Sequence, residues 1–222
     1  HLQHTSLFTD DFSSFQKRKK YGFAAVSNAS GFNDVFSDMN VDSIIYGGET
    51  MNPSAESIVH AINTAGAETV FVLPGNGNIF LVCNTAASLC PDVQVEIIPT
   101  TTIPQSIAAL YAFNESLSTE ENITKMMNAA QSVSTVLFTR AIRDAVSDDT
   151  AIKKGQFFSI ADGKPLCAAP TIEECVDKMS DFFSNFDFGI VYYGTDSSEE
   201  EANELIDLIN KKNPELELGI AK

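Results

Sequence analysis

Two rhythms of apolar and polar positions alternate along the first two thirds of this chain. Gly22 to Ser27 is a near-continuous apolar run, and after the Asn28-Ala29-Ser30-Gly31 turn Phe32, Val35, Phe36 and Met39 recur at three- and four-residue spacing. The run predicts a buried strand, and the spacing predicts a helix with one apolar face. The pair then repeats. Asp42 to Tyr46 reads as a strand, and Ser54 caps a helix that runs through Ile58, Val59 and Ile62 until Gly66 stops it. Thr69 to Leu73 is a third strand, followed by a helix from about Asn78 to Leu89 built on Ile79, Leu81, Val82 and Ala86 and closed by Pro91. Val93 to Ile98, interrupted only at Gln94 and Glu96, suits a strand in a sheet covered by helices. Pro104 opens a helix through Ile107, Leu110 and Tyr111, and Ser118-Thr119-Glu120-Glu121 starts another. Strands and helices at this spacing predict right-handed βαβ units with a largely parallel sheet.

The pattern changes after about residue 131. Val133 to Ile142 reads as one long strand and Ala145 to Gly155 as a polar loop. Gln156 to Ala161 and Lys164 to Ala168 flank Asp162-Gly163, the strongest short-range hairpin signal in the chain. Thr171 to Ser184 predicts a helix, Asp187 to Tyr193 a buried strand, Ser197 to Lys212 an acidic amphipathic helix and Glu215 to Ile220 a last strand. The expected fold is α/β: a subdomain over residues 21–131 with a largely parallel sheet, then a smaller α+β subdomain over residues 132–222. Residues 1–20, polar and Ser/Thr-rich, are expected as a tail. Its basic end, Lys17-Arg18-Lys19-Lys20, is expected as a solvated linker.

Charge narrows the function. The 222 residues hold 14 basic and 30 acidic side chains, a formal net charge of −16, which argues against nucleic acid or anionic lipid as partner. No apolar run approaches the roughly 20 residues of a membrane span. Cys83, Cys90, Cys167 and Cys175 lie in or beside apolar stretches without close spacing, as small buried hydrophobes of a cytoplasmic protein would. His1 and His4 fall in the tail, so a metal site on them is not expected. His60 lies mid-helix with no nucleophile elbow nearby and is expected to be a buried or half-exposed structural histidine.

Three Gly/Pro/Asn-rich turns follow the second, third and fourth strands: Tyr46 to Ser54, Leu73 to Asn78 and Ile98 to Gln105. Loops leaving the carboxyl ends of parallel strands gather on one edge, so these turns are expected to share a crevice. Gly47 and Gly48 bend the first, where Thr50 and Asn52 add short polar side chains and the helix start at Pro53-Ser54 offers free amides to an anion. An ordinary strand-to-helix turn would use the same residues. Asn76 and Asn78 stand in the second turn, which lacks both GxxxxGK[ST] and GxGxxG, and no nucleotide site is supported. Thr100 and Thr102 offer hydroxyls, for a ligand or for capping, and Gln105 closes the third turn. Arg143-Asp144 is the foremost charged pair; the two are expected to reach separate partners, with Arg143 either an internal counter-ion or a recognition residue.

Taken in order, Tyr21-Gly22-Phe23, Tyr46-Gly47-Gly48-Glu49-Thr50-Met51-Asn52-Pro53-Ser54, Leu73-Pro74-Gly75-Asn76-Gly77-Asn78, Ile98-Pro99-Thr100, Ile103-Pro104-Gln105, Arg143-Asp144, Lys154-Gly155 and Tyr192-Tyr193-Gly194 carry a likeness. The chain resembles, from about Tyr21 onward, the C-terminal domain of bacterial fatty acid kinase catalytic subunits, the dihydroxyacetone-kinase-like proteins. In that family an N-terminal domain binds ATP and magnesium, a middle domain follows, and the C-terminal domain engages a separate fatty-acid-binding subunit whose acyl chain is phosphorylated. The resemblance implies a non-catalytic docking domain with no cofactor of its own, in which the crevice turns and Arg143 meet the partner.

The layout is also similar to DegV-like fatty-acid binders, which hold a lipid carboxylate with hydroxyl-bearing loops. That implies an alternative, a lipid or small-molecule carboxylate site at Thr50, Asn52, Asn76, Asn78 and Thr102. An apolar tunnel in the crevice would distinguish it. Glu49 stands where the family usually has Gln, Gly75 and Gly77 replace larger residues, and Thr102 stands where Ser is common. The family's domain usually ends on a Gly-Gly-Gln-Pro segment beyond the point reached at Lys222, which implies a last strand short of its full neighbour. A homodimer is a further expectation. An independent hydrolase, resting on the acidic surface and His60 alone, is the third reading.

Overall fold

The computed structural model describes residues 18–48, 50–147, 150–194 and 197–221. Four parallel strands form the main sheet: β1 (Lys19–Ser27), β2 (Ser43–Tyr46), β3 (Ala67–Leu73) and β4 (Gln94–Ile97), in the order β2-β1-β3-β4. The registers place Ala25 beside Ile44 and Leu73, and Val70 beside Val95. All the pairs are parallel, as the alternating pattern predicts.

Helices cover both faces, which is why the central strands are apolar on both sides. On one face α2 (Ala55–Thr64) and α3 (Phe80–Ser88, entered through a 3-10 turn at Gly77–Ile79) bring Ile58, Ala61, Ile62, Cys83 and Ala86 onto Ala24, Val26, Val70 and Val72. On the other, α1 (Ser30–Asp38), α4 (Ile103–Ala112) and α5 (Thr119–Gln131) bring Phe36, Ile107, Leu110 and Met126 onto Ala25, Phe71, Leu73 and Ile98. Tyr21, Phe23 and Phe71 gather round Phe113 with ring centroids 4.8–5.8 Å apart. Leu81, expected on the apolar face of its helix, is exposed instead. Only Ile79, Cys83 and Ala86 of this segment are fully buried, so its apolar stripe is narrow.

The first strand reaches back into the stretch expected as tail. Lys19 donates its backbone N–H to Gly66 O at 3.2 Å and its ammonium pairs with Asp42, so the end of the basic run is anchored in the sheet. Arg18 adds a bond to the Asp92 carbonyl.

The second lobe holds the antiparallel sheet β5 (Val136–Arg140), β8 (Phe157–Ala161) and β9 (Lys164–Ala169), in the order β5-β8-β9. The predicted hairpin at Asp162-Gly163 is present, with φ of +48° and +82° at its two central residues as a primed turn requires. Three expectations change here. The long strand is five residues rather than ten, because the chain leaves the ladder after Arg140. The polar loop contains a second hairpin, β6 (Ala145–Ser147) with β7 (Thr150–Ile152), held by the burial of Ile152. The helix expected over Thr171 to Ser184 breaks at Met179 into α6 (Ile172–Lys178) and α7 (Ser180–Phe183).

A parallel pair, β10 (Phe188–Tyr192) and β11 (Glu217–Ala221), flanks α8 (Glu199–Lys212). β10 was expected to be buried, yet Phe188 and Ile190 are exposed while Gly189 packs on Leu218 on the other side. A separate core of Cys175, Val176, Met179, Phe183, Ile209 and Leu216 holds this lobe together.

Candidate functional site

Sheet order brings the three turns to one edge, as their positions after β2, β3 and β4 predict. Each is then tied to the next. In the first, Gly47 donates to Ser27 O at 2.9 Å and accepts from Asn52 N at 2.8 Å. A Cβ at Gly47 would lie 3.0 Å from Met51 Cα and 3.1 Å from Val26 Cγ1, so glycine is needed there for space. Gly48, at φ +66°, is needed for conformation. Met51 presents its carbonyl to Asn76 Nδ2 at 3.0 Å, which joins the first turn to the second.

Gly75, at φ +59°, directs its N–H onto Thr100 Oγ1 at 3.1 Å and so joins the second turn to the third. Thr100 is fully buried, and its oxygen also accepts from Ser106 Oγ at 2.9 Å. Asn76 has both ends of its amide occupied, since Oδ1 accepts from Asn78 N at 3.0 Å. Thr102 caps α4 and shares a 2.7 Å hydroxyl bond with Thr135 of the second lobe. Gln105 accepts from Thr101 N and Oγ1 at 2.8 and 2.9 Å and donates to Val133 O at 3.2 Å.

Four of the groups that could meet a carboxylate, Asn76, Thr100, Thr102 and Gln105, therefore meet their neighbours instead. Thr50, Asn52 and Asn78 are the remaining candidates, and all three are exposed on the outer rim. Glu49 lies outside the described residues, as do His1 and His4. Ser27, Ser106, Thr135 and the carbonyls of Met51 and Val133 belong to the same network without having been expected. Ser106 carried no signal of its own, as a single serine on a helix that also holds Gln105.

Arg143 is separated from Thr135 by the length of β5. β5 begins beside Thr135, which touches the turns, and runs away from them for five residues, roughly 17 Å at strand spacing. Arg143 sits exposed at the far end. Asp144 has a partner of its own, accepting from Lys154 N at 2.7 Å to close the base of the β6–β7 hairpin.

His60 is exposed on α2, not buried or half-exposed as expected. It lines an open cleft of about 450 Å³ with Ser54, Ser57 and the edge strand Ser43 to Tyr46. Another open cleft, about 480 Å³, lies between α1 and α4 at Val35, Asp38, Met39, Leu110 and Tyr111. Among the described residues no three His, Cys, Asp or Glu side chains gather as a metal-binding group. All four cysteines are free and buried. Burial pushes the Cys83 thiol up to about 11. Burial, with Cys167 beside it, pushes Cys175 up to about 12.

A helix-covered parallel sheet with its carboxyl-edge turns joined, carrying a smaller lobe of short sheets, defines an α/β protein. The fold matches that of protein TM841 from Thermotoga maritima, a structure described as revealing fatty acid binding function, with a TM-score of 0.62 over 92% of each chain at 13% identity. The chain belongs to the FakA-like C-terminal family, the C-terminal domains of fatty acid kinase-like proteins, whose model matches residues 22–222. Protein YloV of Bacillus subtilis is 36% identical over 225 residues, which cover 98% of this chain and 40% of that protein. Protein SH1689 of Staphylococcus haemolyticus is 33% identical over 196 residues, covering 87% of this chain and 35% of its own length. The chain thus spans 35–40% of the length of these relatives.

Proposed function

We propose that this domain is the non-catalytic docking part of a fatty acid kinase and engages an acyl-carrying fatty-acid-binding partner. ATP and magnesium would be held elsewhere in the full-length protein, where the acyl phosphate forms. One observation carries the reading beyond family membership: the inner polar groups of the carboxyl edge, Asn76, Thr100, Thr102 and Gln105, are engaged by their neighbours, with Thr50, Asn52 and Asn78 on the exposed rim. A lipid carboxylate needs donors that are not already paired, and displacing a buried hydrogen bond costs about 1–3 kcal/mol for each group left unpaired. Asn76 Nδ2 holds Met51 O, Gln105 Nε2 holds Val133 O, and Thr100 is buried beneath both Gly75 and Ser106. The turns therefore act as a rigid shell rather than a receptor for a head group. Four buried free thiols support a reducing, cytoplasmic setting.

Native mass spectrometry of the chain, alone and mixed with a purified fatty-acid-binding protein from the same cell, tests this reading. A stoichiometric complex with a lipid-free chain is expected. A chain that carries a fatty acid and ignores the binding protein would replace the docking role with carboxylate binding.

A further inference from the structure

Between Ala141 and Gln156 the chain leaves the β5–β8 ladder and returns to it. Ala141 N donates to Gln156 O at 2.9 Å and Gly155 N to Ala141 O at 2.7 Å, and the β6–β7 hairpin projects from that base. Ile142 and Val146 on this excursion are 85% and 77% exposed. Arg140, Arg143, Lys153 and Lys154 stand exposed around the same base. Arg140 is held in place with its guanidinium 3.9 Å from the centroid of the Phe157 ring. Nearby, Leu137 of β5 is exposed and pairs with the half-buried Ile160.

Charge makes this end unlike the rest of the molecule. Between residues 140 and 156, Arg140, Arg143, Lys153 and Lys154 outnumber Asp144, Asp148 and Asp149, in a chain whose net charge is −16. The Asp144 carboxylate is engaged by backbone, accepting from Lys154 N.

We propose that this end of the second lobe docks an acidic protein surface, with Ile142 and Val146 as apolar contacts and Arg140, Arg143, Lys153 and Lys154 pairing with its carboxylates. The inference rests on the docking reading above and names the face and the chemistry of the partner. Apolar anchors ringed by arginine are the composition of interface centres, and guanidinium forks pair with carboxylates in two parallel bonds. A second copy docked through the same face would set these cations against themselves. An extended anionic bilayer would also face the acidic remainder of the chain, whereas a protein surface can meet the cations of this end alone.

The test is the affinity of the chain for a purified, acyl-loaded fatty-acid-binding protein, at about 50 mM and about 300 mM salt. It compares wild type with the triple variant Arg143→Glu, Lys153→Glu, Lys154→Glu and with the double variant Ile142→Ser, Val146→Ser, each checked for folding by urea titration. Arg143→Ala serves as a milder probe should either multiple variant fail to fold. Binding about tenfold weaker in both multiple variants is expected, with a wild-type on-rate that falls with salt and a triple variant that loses that dependence. Wild-type affinity in folded variants would overturn the face and leave the docking reading standing. No binding by the wild type would overturn both. Vesicles of phosphatidylglycerol bound by the wild type and not by the triple variant, or self-association lost in the double variant, would overturn the choice of an acidic protein as occupant.

Discussion

Thr100 illustrates how one residue type can fit two roles until burial is known. A hydroxyl at the end of a strand suits a ligand or a turn equally, and burial decides for the turn: its oxygen accepts from both Gly75 N and Ser106 Oγ. Thr100→Val keeps the shape, leaves the buried Gly75 N–H unpaired and leaves Ser106 Oγ only its longer bond to Thr102 O, so urea unfolding should report a loss of about 1–3 kcal/mol. Thr50→Ala on the exposed rim should stay within about 0.5 kcal/mol of wild type. Thiol chemistry gives a second outcome at this scale. With Cys175 pushed up to about 12 and Cys83 to about 11, folded chain should react with a disulfide reagent at pH 8 only as fast as it opens, whereas unfolded chain exposes all four thiols. The same shifts make stability depend on alkaline pH. Unfolded thiols ionise from about pH 9 and buried ones do not, so the unfolded state binds fewer protons and stability falls as pH rises from 9 toward 12. Thr100, Thr102 and Gln105 were legible as a group because each belongs to a turn motif. Ser106 and Thr135 were not, since a single hydroxyl on a helix or before a strand gives no local sign of what it will face.

Elements with strong local chemistry were the readable ones. Ser118 and Ser198 each accept from the backbone N–H three residues on, while Glu121 and Glu201 reach back, so both helices carry complete capping boxes. The Glu121 carboxyl sits below its ordinary range because Ser118 donates to it. Ser118→Ala should cost about 1 kcal/mol in thermal or urea unfolding, which is the usual loss for a cap. The Asp162-Gly163 turn was equally plain, and Gly163→Ala, forced to hold φ +82°, should cost about 1–2 kcal/mol in the same assay. The β6–β7 hairpin was not visible, because strands of three residues carry too few positions to show alternation. Nor was the break at Met179, where the stretch retains a helical pattern and packing against Phe183 and Ile209 sets the bend.

At the scale of the whole molecule the two lobes meet through few but specific contacts: Thr102 with Thr135, Gln105 with the Val133 carbonyl, and the Phe32 ring with Tyr192 at 5.1 Å. Against the formal charge of −16, the described residues form two ion pairs, Lys19–Asp42 and Lys212–Asp177, both partly exposed. Self-repulsion should therefore govern the response to salt, and Tm should rise by a few degrees between about 20 and about 200 mM NaCl. A falling Tm would mean that attractive pairs dominate. The order of strands and helices through residue 131, the parallel sheet, the helix caps and the turns as a shared edge follow from the chain alone, because periodicity, capping residues and glycine turns act within a few residues of one another. Which hydroxyls and amides would be engaged, that Arg143 stands at the far end of β5 from those turns, and that the cations of residues 140–154 surround exposed Ile142 and Val146 were decided by tertiary structure. Those are relations between residues distant in sequence, and only packing brings such groups together or holds them apart.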